Sequence, residues 1–218
     1  MTHRRRSGRP ASSCLPLLVA VAAGCGEPPV PLPESAPFPG RGVRLNMTYG
    51  DLMNLRPGAV LIPDTGVVEA LMHGSYHYGF TSNPPRKGSR LVYIDHVRDE
   101  MEADRARREW DALVVALAGE LGLDPRCMAI DHARLRWRRA MLQEEGGPVA
   151  ATVEIVAVTT GDPGPGRAEL VTRVWLPEHA APVSRFLEAP GRAGEDLLEW
   201  EDCETETEYG PSPRSPSP

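Results

Sequence analysis

Four histidines are the residues best placed by type and spacing to do chemistry: His73, His77, His96 and His132. Two of them directly follow an acid, Asp95 and Asp131. His73 and His77, four residues apart, share a face on either a helix or a strand. With a third group such as His96 they are the candidate ligands for a metal ion or a small polar ligand. The run Leu71-Met72-His73-Gly74-Ser75-Tyr76-His77-Tyr78-Gly79, with its glycines and aromatics, predicts a strand. On a strand those four residues span about 13 Å, too far for one zinc ion without a bulge. Each Asp-His pair puts its side chains on opposite strand faces, so neither forms an acid–base dyad by itself. The expectation is edge and surface histidines in a hairpin; metal or ligand binding through His73 and His77 is the alternative.

Other catalytic patterns are missing from the sequence. Ser75 is not followed two residues later by the glycine of a nucleophile elbow. The glycines around Gly161 alternate with prolines, which lack the amides that would cradle a phosphate. Cys127 follows Pro125-Arg126 and has no catalytic partner nearby in sequence. Trp110, Trp137, Trp175 and Trp200 are expected to be core and rim, not a ligand cage. No catalytic residue, cofactor or resident metal is expected.

Cysteine chemistry is better defined. Arg4-Arg5-Arg6 is followed by the apolar run Leu15-Pro16-Leu17-Leu18-Val19-Ala20-Val21-Ala22-Ala23, then Gly24 and Cys25. A basic head, a short apolar run and small residues before a cut site are the parts of an export signal. Because the small residues end on a cysteine, the stretch resembles a bacterial lipoprotein signal with a lipobox. That resemblance implies cleavage just before Cys25, acylation of its thiol with palmitate-type chains, and a lipid anchor on the mature chain. It also implies a cell-envelope address. Gly26, with no aspartate after the cysteine, fits the periplasmic side of an outer membrane in a two-membrane cell. The apolar run is far short of the ~20 residues of a lasting membrane span. An ordinary export signal cut after Ala22 and an uncleaved cytosolic tail are the alternatives.

The expected organisation is a signal peptide over 1–24, then lipidated Cys25 and a proline-rich tether over 25–42. A single domain follows over 43–203, with an acidic and Pro/Ser-rich tail over 204–218. Proline spacing in the tether excludes helix and interior strand and biases it to an extended spacer. The formal charge is −6, and removing Arg4, Arg5, Arg6 and Arg9 with an acid-free signal brings it to about −10. A body of that sign is a poor nucleic-acid binder. Anionic headgroups repel it too, so membrane contact is expected through acyl chains alone. Lys87 is the only lysine in the chain.

Once Cys14 leaves with the signal and Cys25 is lipidated, Cys127 and Cys203 remain. In an exported protein such a pair is expected to form a disulfide; two free thiols are the alternative. The bond would pin the segment Leu197–Asp202 to the domain.

Local signals then lay out the elements. Thr48 and Asp51 predict the start of a short helix, with Met47 and Leu52 at staple positions and Arg56-Pro57-Gly58 as its stop. Strand-like runs follow over 67–80 and 90–97, separated by Asn83–Gly88. Asp99 and Glu102 are placed to cap a long helix carrying Trp110, Leu113, Val114, Leu117 and Leu121, ended by Gly122 and Pro125. Further strands are expected over 134–143, 149–159 and 168–176. Val153, Ile155 and Ala157 form an apolar face, and Thr152, Glu154 and Val156 a mixed one. The fold class expected is α+β: an antiparallel sheet packed by one long amphipathic and one short helix, in two helix-then-strands passes.

The lipobox, the tether and the Met-Thr opening of the first helix in Gly42-Val43-Arg44-Leu45-Asn46-Met47-Thr48 together resemble the SmpA/OmlA-type small outer-membrane lipoproteins. Those share a helix-then-antiparallel-sheet layout with the β-lactamase-inhibitor-protein family. The resemblance covers about a dozen residues and implies the fold; it carries over no functional residue. This chain has Asn46 and Arg56-Pro57-Gly58-Ala59 where that family usually has a glycine and Leu-Gly-x-Pro. The function expected is that of a lipid-anchored, non-enzymatic envelope protein. It would dock on another envelope protein through its sheet face or its acidic segment.

Overall fold

The computed structural model of the chain describes residues 28–38, 40, 42–63, 66–132, 135–158, 166–179 and 201–203. The signal segment, Cys25, the segment before Glu201 and the tail after Cys203 lie outside the described residues.

The first helix forms where its cap requires it. Helix α1 spans Tyr49–Leu55, and the Thr48 hydroxyl accepts the Asp51 N–H at 3.1 Å while donating to the Asp51 carboxylate at 2.6 Å. Met47 and Leu52 are both buried, as staple residues should be. Before α1, β1 (Val30–Pro31) pairs with β2 (Arg44–Leu45) in a two-stranded antiparallel sheet. After it come β3 (Val60–Ile62), β4 (Gly66–Leu71), β5 (Gly74–Phe80) and β6 (Leu91–Glu102). The run expected over 67–80 is thus two strands with a turn at Met72–His73. Gly74 has φ +127°, and a Cβ there would strike the Val97 carbonyl, so the second strand must start on a glycine.

Helix α2 spans Ala103–Leu121 and ends at Gly122 in the left-handed conformation with φ +67°. Its start differs from expectation. β6 runs on through Asp99 to Glu102, and Glu102 precedes α2 without a side-chain capping bond. The reason is pairing: β10 (Arg167–Trp175) continues opposite β6, with Ala168 opposite Met101, and Met101 is buried. The β6–β10 register shifts between Ala168 and Leu170, where β6 carries one extra residue and Glu100 has φ +56°.

The second set of strands is β7 (Arg126–His132), β8 (Leu135–Leu142), β9 (Ala150–Val158), β10 and the short β11 (Glu201–Asp202). One sheet of nine strands results, in the order β11-β7-β8-β9-β10-β6-β5-β4-β3, with antiparallel neighbours throughout. Among the described residues two helices and a mostly antiparallel sheet make the fold α+β. Trp110 of α2 is 1% exposed and donates Nε1–H to the Val153 carbonyl at 2.9 Å. Val114 and Leu117 of α2 share one apolar core with Val153, Ile155, Ile94, Leu170 and Val174. Among the described residues no helix is long and apolar enough to cross a membrane.

The proline-rich stretch is not a free spacer where it is described. Leu32 and Phe38 pack against the core, and the Glu34 and Ser35 amides donate to the Glu120 carboxylate at 2.6 and 2.9 Å. The Ser35 hydroxyl also bonds Glu120, and Tyr76 donates to the Pro37 carbonyl at 3.2 Å. The folded region therefore reaches back to Pro28, ahead of the boundary expected at Val43. Proline forbids an interior strand but not an edge pair, and the apolar residues between the prolines supply the docking energy.

Candidate functional site

Strand register decides which polar side chains meet. Arg173 of β10 stands opposite Asp95 of β6, and Arg139 of β8 stands opposite Glu154 of β9. These four strands are neighbours, so Asp95, Arg173, Glu154 and Arg139 form a row of alternating charge on one face. The row is buried: Asp95, Arg173, Glu154 and Arg139 are all under 9% exposed. Arg173 grips Asp95 through two parallel bonds, Nε to Oδ1 at 2.5 Å and Nη2 to Oδ2 at 2.7 Å. Trp137 Nε1 donates to Glu154 Oε1 at 3.0 Å. The Arg173 guanidinium lies 5.4 Å over the Tyr93 ring. That ring in turn covers Gly79, where a Cβ would overlap it.

Electrostatics within the row follow from these partners. Burial opposes the charge on Arg173, but its bonds and Coulomb attraction to Asp95 hold its proton above the ordinary arginine value. For Arg139 burial prevails, with Glu154 offsetting it in part and Arg173 adding repulsion, so its pKa falls below ordinary. With both Asp95 oxygens committed to Arg173, the row works as a lock between strands and not as a proton relay.

A second polar group sits on the face bearing the apolar core. Arg56, just past α1, makes a forked bond to Glu69 of β4 at 2.8 and 2.9 Å, and Tyr78 donates to the same carboxylate at 2.8 Å. Burial, then the bond to Glu69, pushes the Tyr78 hydroxyl well above the usual range. Beside it the His96 ring packs on Tyr76, centroids 5.0 Å apart. Burial, aided by the Arg98 charge, lowers the His96 pKa to about 4.

The predicted histidine ligands are not brought together. His73 falls in the β4–β5 turn. His77 is in register with Asp95, whereas His96, the next residue, is in register with Tyr76, so His77 and His96 project from opposite faces. His77 Nε2 instead meets the Ser75 hydroxyl at 2.8 Å. No three His, Cys, Asp or Glu side chains among the described residues converge as a metal site. The side chain of His132 and all of Cys25 lie outside the described residues. Cys127 and Cys203 stand at disulfide distance, Cα–Cα 5.0 Å, with Glu201 of β11 paired opposite Cys127.

Compared with known proteins, the chain matches no family model, no curated protein and no solved structure. The charge row was missed from sequence, although its signal was present: Glu154 sits within Thr152-Val153-Glu154-Ile155-Val156, and Arg139 precedes Ala140-Met141-Leu142. The face expected to be mixed is buried as well, with Thr152 and Glu154 at 3% and 6% exposure. That burial removes this part of the sheet as a docking face.

Proposed function

We propose that the protein is a lipid-anchored envelope protein of non-enzymatic, accessory type. It is held by acyl chains on Cys25 and acts by docking on another envelope protein. The observation that carries this is the pairing of Cys127 with Cys203 behind the lipobox stretch ending at Cys25. Structural disulfides persist in oxidising compartments outside the cytosol, where a lipobox would send the chain. The address is the outer membrane facing the periplasm in a two-membrane cell. In the same proposal the fold is two helix-then-strands passes, α1 with β3 to β6 and α2 with β7 to β10, each helix lying on the sheet. The strand order supports it, because the passes join through their last strands, β6 and β10.

The docking element proposed is the sheet edge at β3; the acidic segment expected from sequence falls almost wholly outside the described residues. Val60, Leu61 and Ile62 are 55%, 42% and 39% exposed, and among the described residues β3 pairs only with β4. A strand at the end of the described sheet with exposed apolar side chains fits an extended segment of a partner chain. Intact mass of the protein from its native membrane is the test of the anchor. Cleavage before Cys25, added acyl chains and a two-proton loss are expected; an unmodified Cys25 overturns it.

A further inference from the structure

We propose that a basic corner of this acidic protein, formed by Arg44, Arg86, Lys87 and Arg90, is its bilayer-facing surface and takes anionic phospholipid headgroups. The inference rests on Cys25 being the anchored residue and adds which side of the domain meets the membrane. Pro28 is the first described residue, and its carbonyl accepts Asn46 Nδ2 at 3.4 Å. Arg90 Nη1 donates to the Asn46 carbonyl at 3.1 Å. The Arg90 backbone forms an isolated antiparallel β-bridge with Thr48, and a Cβ on Gly50 in α1 would lie 3.5 Å from Lys87 Cγ. Arg86 donates its N–H to Ser89, whose carbonyl accepts from Tyr49. Arg44 is two residues from Asn46 on β2. The chain thus enters the fold beside four cations, of which Arg44, Arg86 and Lys87 are exposed. None of the four forms an ion pair with a described acid. Among the described residues the acid at this corner is Asp51, bonded to Thr48; Glu27 precedes Pro28 in the sequence and leaves the four cations in excess.

Two residues, Gly26 and Glu27, separate Cys25 from Pro28, so three Cα–Cα steps give a reach of at most about 10 Å. The docked proline segment leaves no longer spacer, so the corner is held within about one Debye length of the headgroups. At that range local charge outweighs the distant net charge of about −10, because the repulsion from the rest of the body is screened.

Lys87, as the only lysine, gives a direct readout. The mature chain is coupled through the Cys25 thiol to maleimide-bearing lipid in vesicles of phosphatidylcholine alone, or of phosphatidylcholine and phosphatidylglycerol in equal parts. Acylation of Lys87 by a water-soluble N-hydroxysuccinimide ester is then followed by peptide mass. The expected rate is roughly fivefold slower on the anionic vesicles, from about one basic residue's worth of attraction. High salt should restore it, and Arg44→Glu with Arg86→Glu should remove the difference with an unchanged melting curve. Equal rates on both vesicles, or a difference insensitive to salt, overturn the proposal. Coupling is chemical, so this outcome is separate from whether the cell acylates Cys25, which native mass decides.

Discussion

Arg173 and Asp95 face each other across the β6–β10 pair, joined by two hydrogen bonds of 2.5 and 2.7 Å, at 6% and 2% exposure. This pair ties β6 of the first strand set to β10 of the second, at the seam on which the nine-stranded sheet depends. Breaking it from one side leaves a buried charge uncompensated. Arg173→Met alone is expected to cost about 3–5 kcal/mol, whereas Arg173→Met with Asp95→Leu should recover most of that loss. Urea unfolding of the single and double variants checks it; equal losses in both exclude the lock.

Acid should weaken the fold through His96. Its folded pKa of about 4 lies below the ordinary 6.5, so the unfolded chain binds the proton more readily. The stabilisation is fully present above pH 6.5 and is lost as the pH falls from there towards 4. Partial solvent screening sets its size at about 1–2 kcal/mol. His96→Phe keeps the packing on Tyr76 and should flatten the stability profile in that window. An unchanged slope rules His96 out as the cause.

The cysteine pair closes a loop of 76 residues in sequence separation. On the chain-entropy account, Cys127→Ser with Cys203→Ser should cost roughly 4 kcal/mol. Thermal unfolding with and without reductant measures it. A melting temperature unmoved by reductant shows that the bond does not form in solution.

Gly79 carries the Tyr93 ring on its bare backbone. Gly79→Ala must displace that ring, and with it the face on which Arg173 rests, at a cost of about 1–3 kcal/mol. Near-UV circular dichroism, sensitive to Tyr93, should change together with stability.

The edge at β3 can be tested apart from stability. Leu61 is 42% exposed, so Leu61→Lys should move stability by no more than about 0.5 kcal/mol. Under the proposed function, it should abolish crosslinking to an envelope protein captured by the protein from its native membrane. Retained capture would move the docking surface elsewhere.

Much of the scaffold was legible from local chemistry. The Thr48 cap, the Gly122 stop, the α2 stripe from Trp110 to Leu117 and the alternation around Val153 each act within a few residues. Short β3 carries no period long enough to read, and β7 mixes Arg126, Cys127 and Asp131. Asp99 read as a helix cap because its neighbours allow it; opposite β10 the same stretch remains strand.

The residues alone determined the lipobox resemblance at Cys25, the net charge, the two helices and the expectation that Cys127 and Cys203 pair. These depend on composition and on forces between near neighbours. Only the tertiary structure decided that Pro28 to Phe38 folds onto the domain and that His77 and His96 point apart. It alone put Asp95, Arg173, Glu154 and Arg139 in one buried row. Each of these depends on which distant strands become neighbours, and a polar residue at a strand position looks the same in sequence whether water or an opposite charge will meet it.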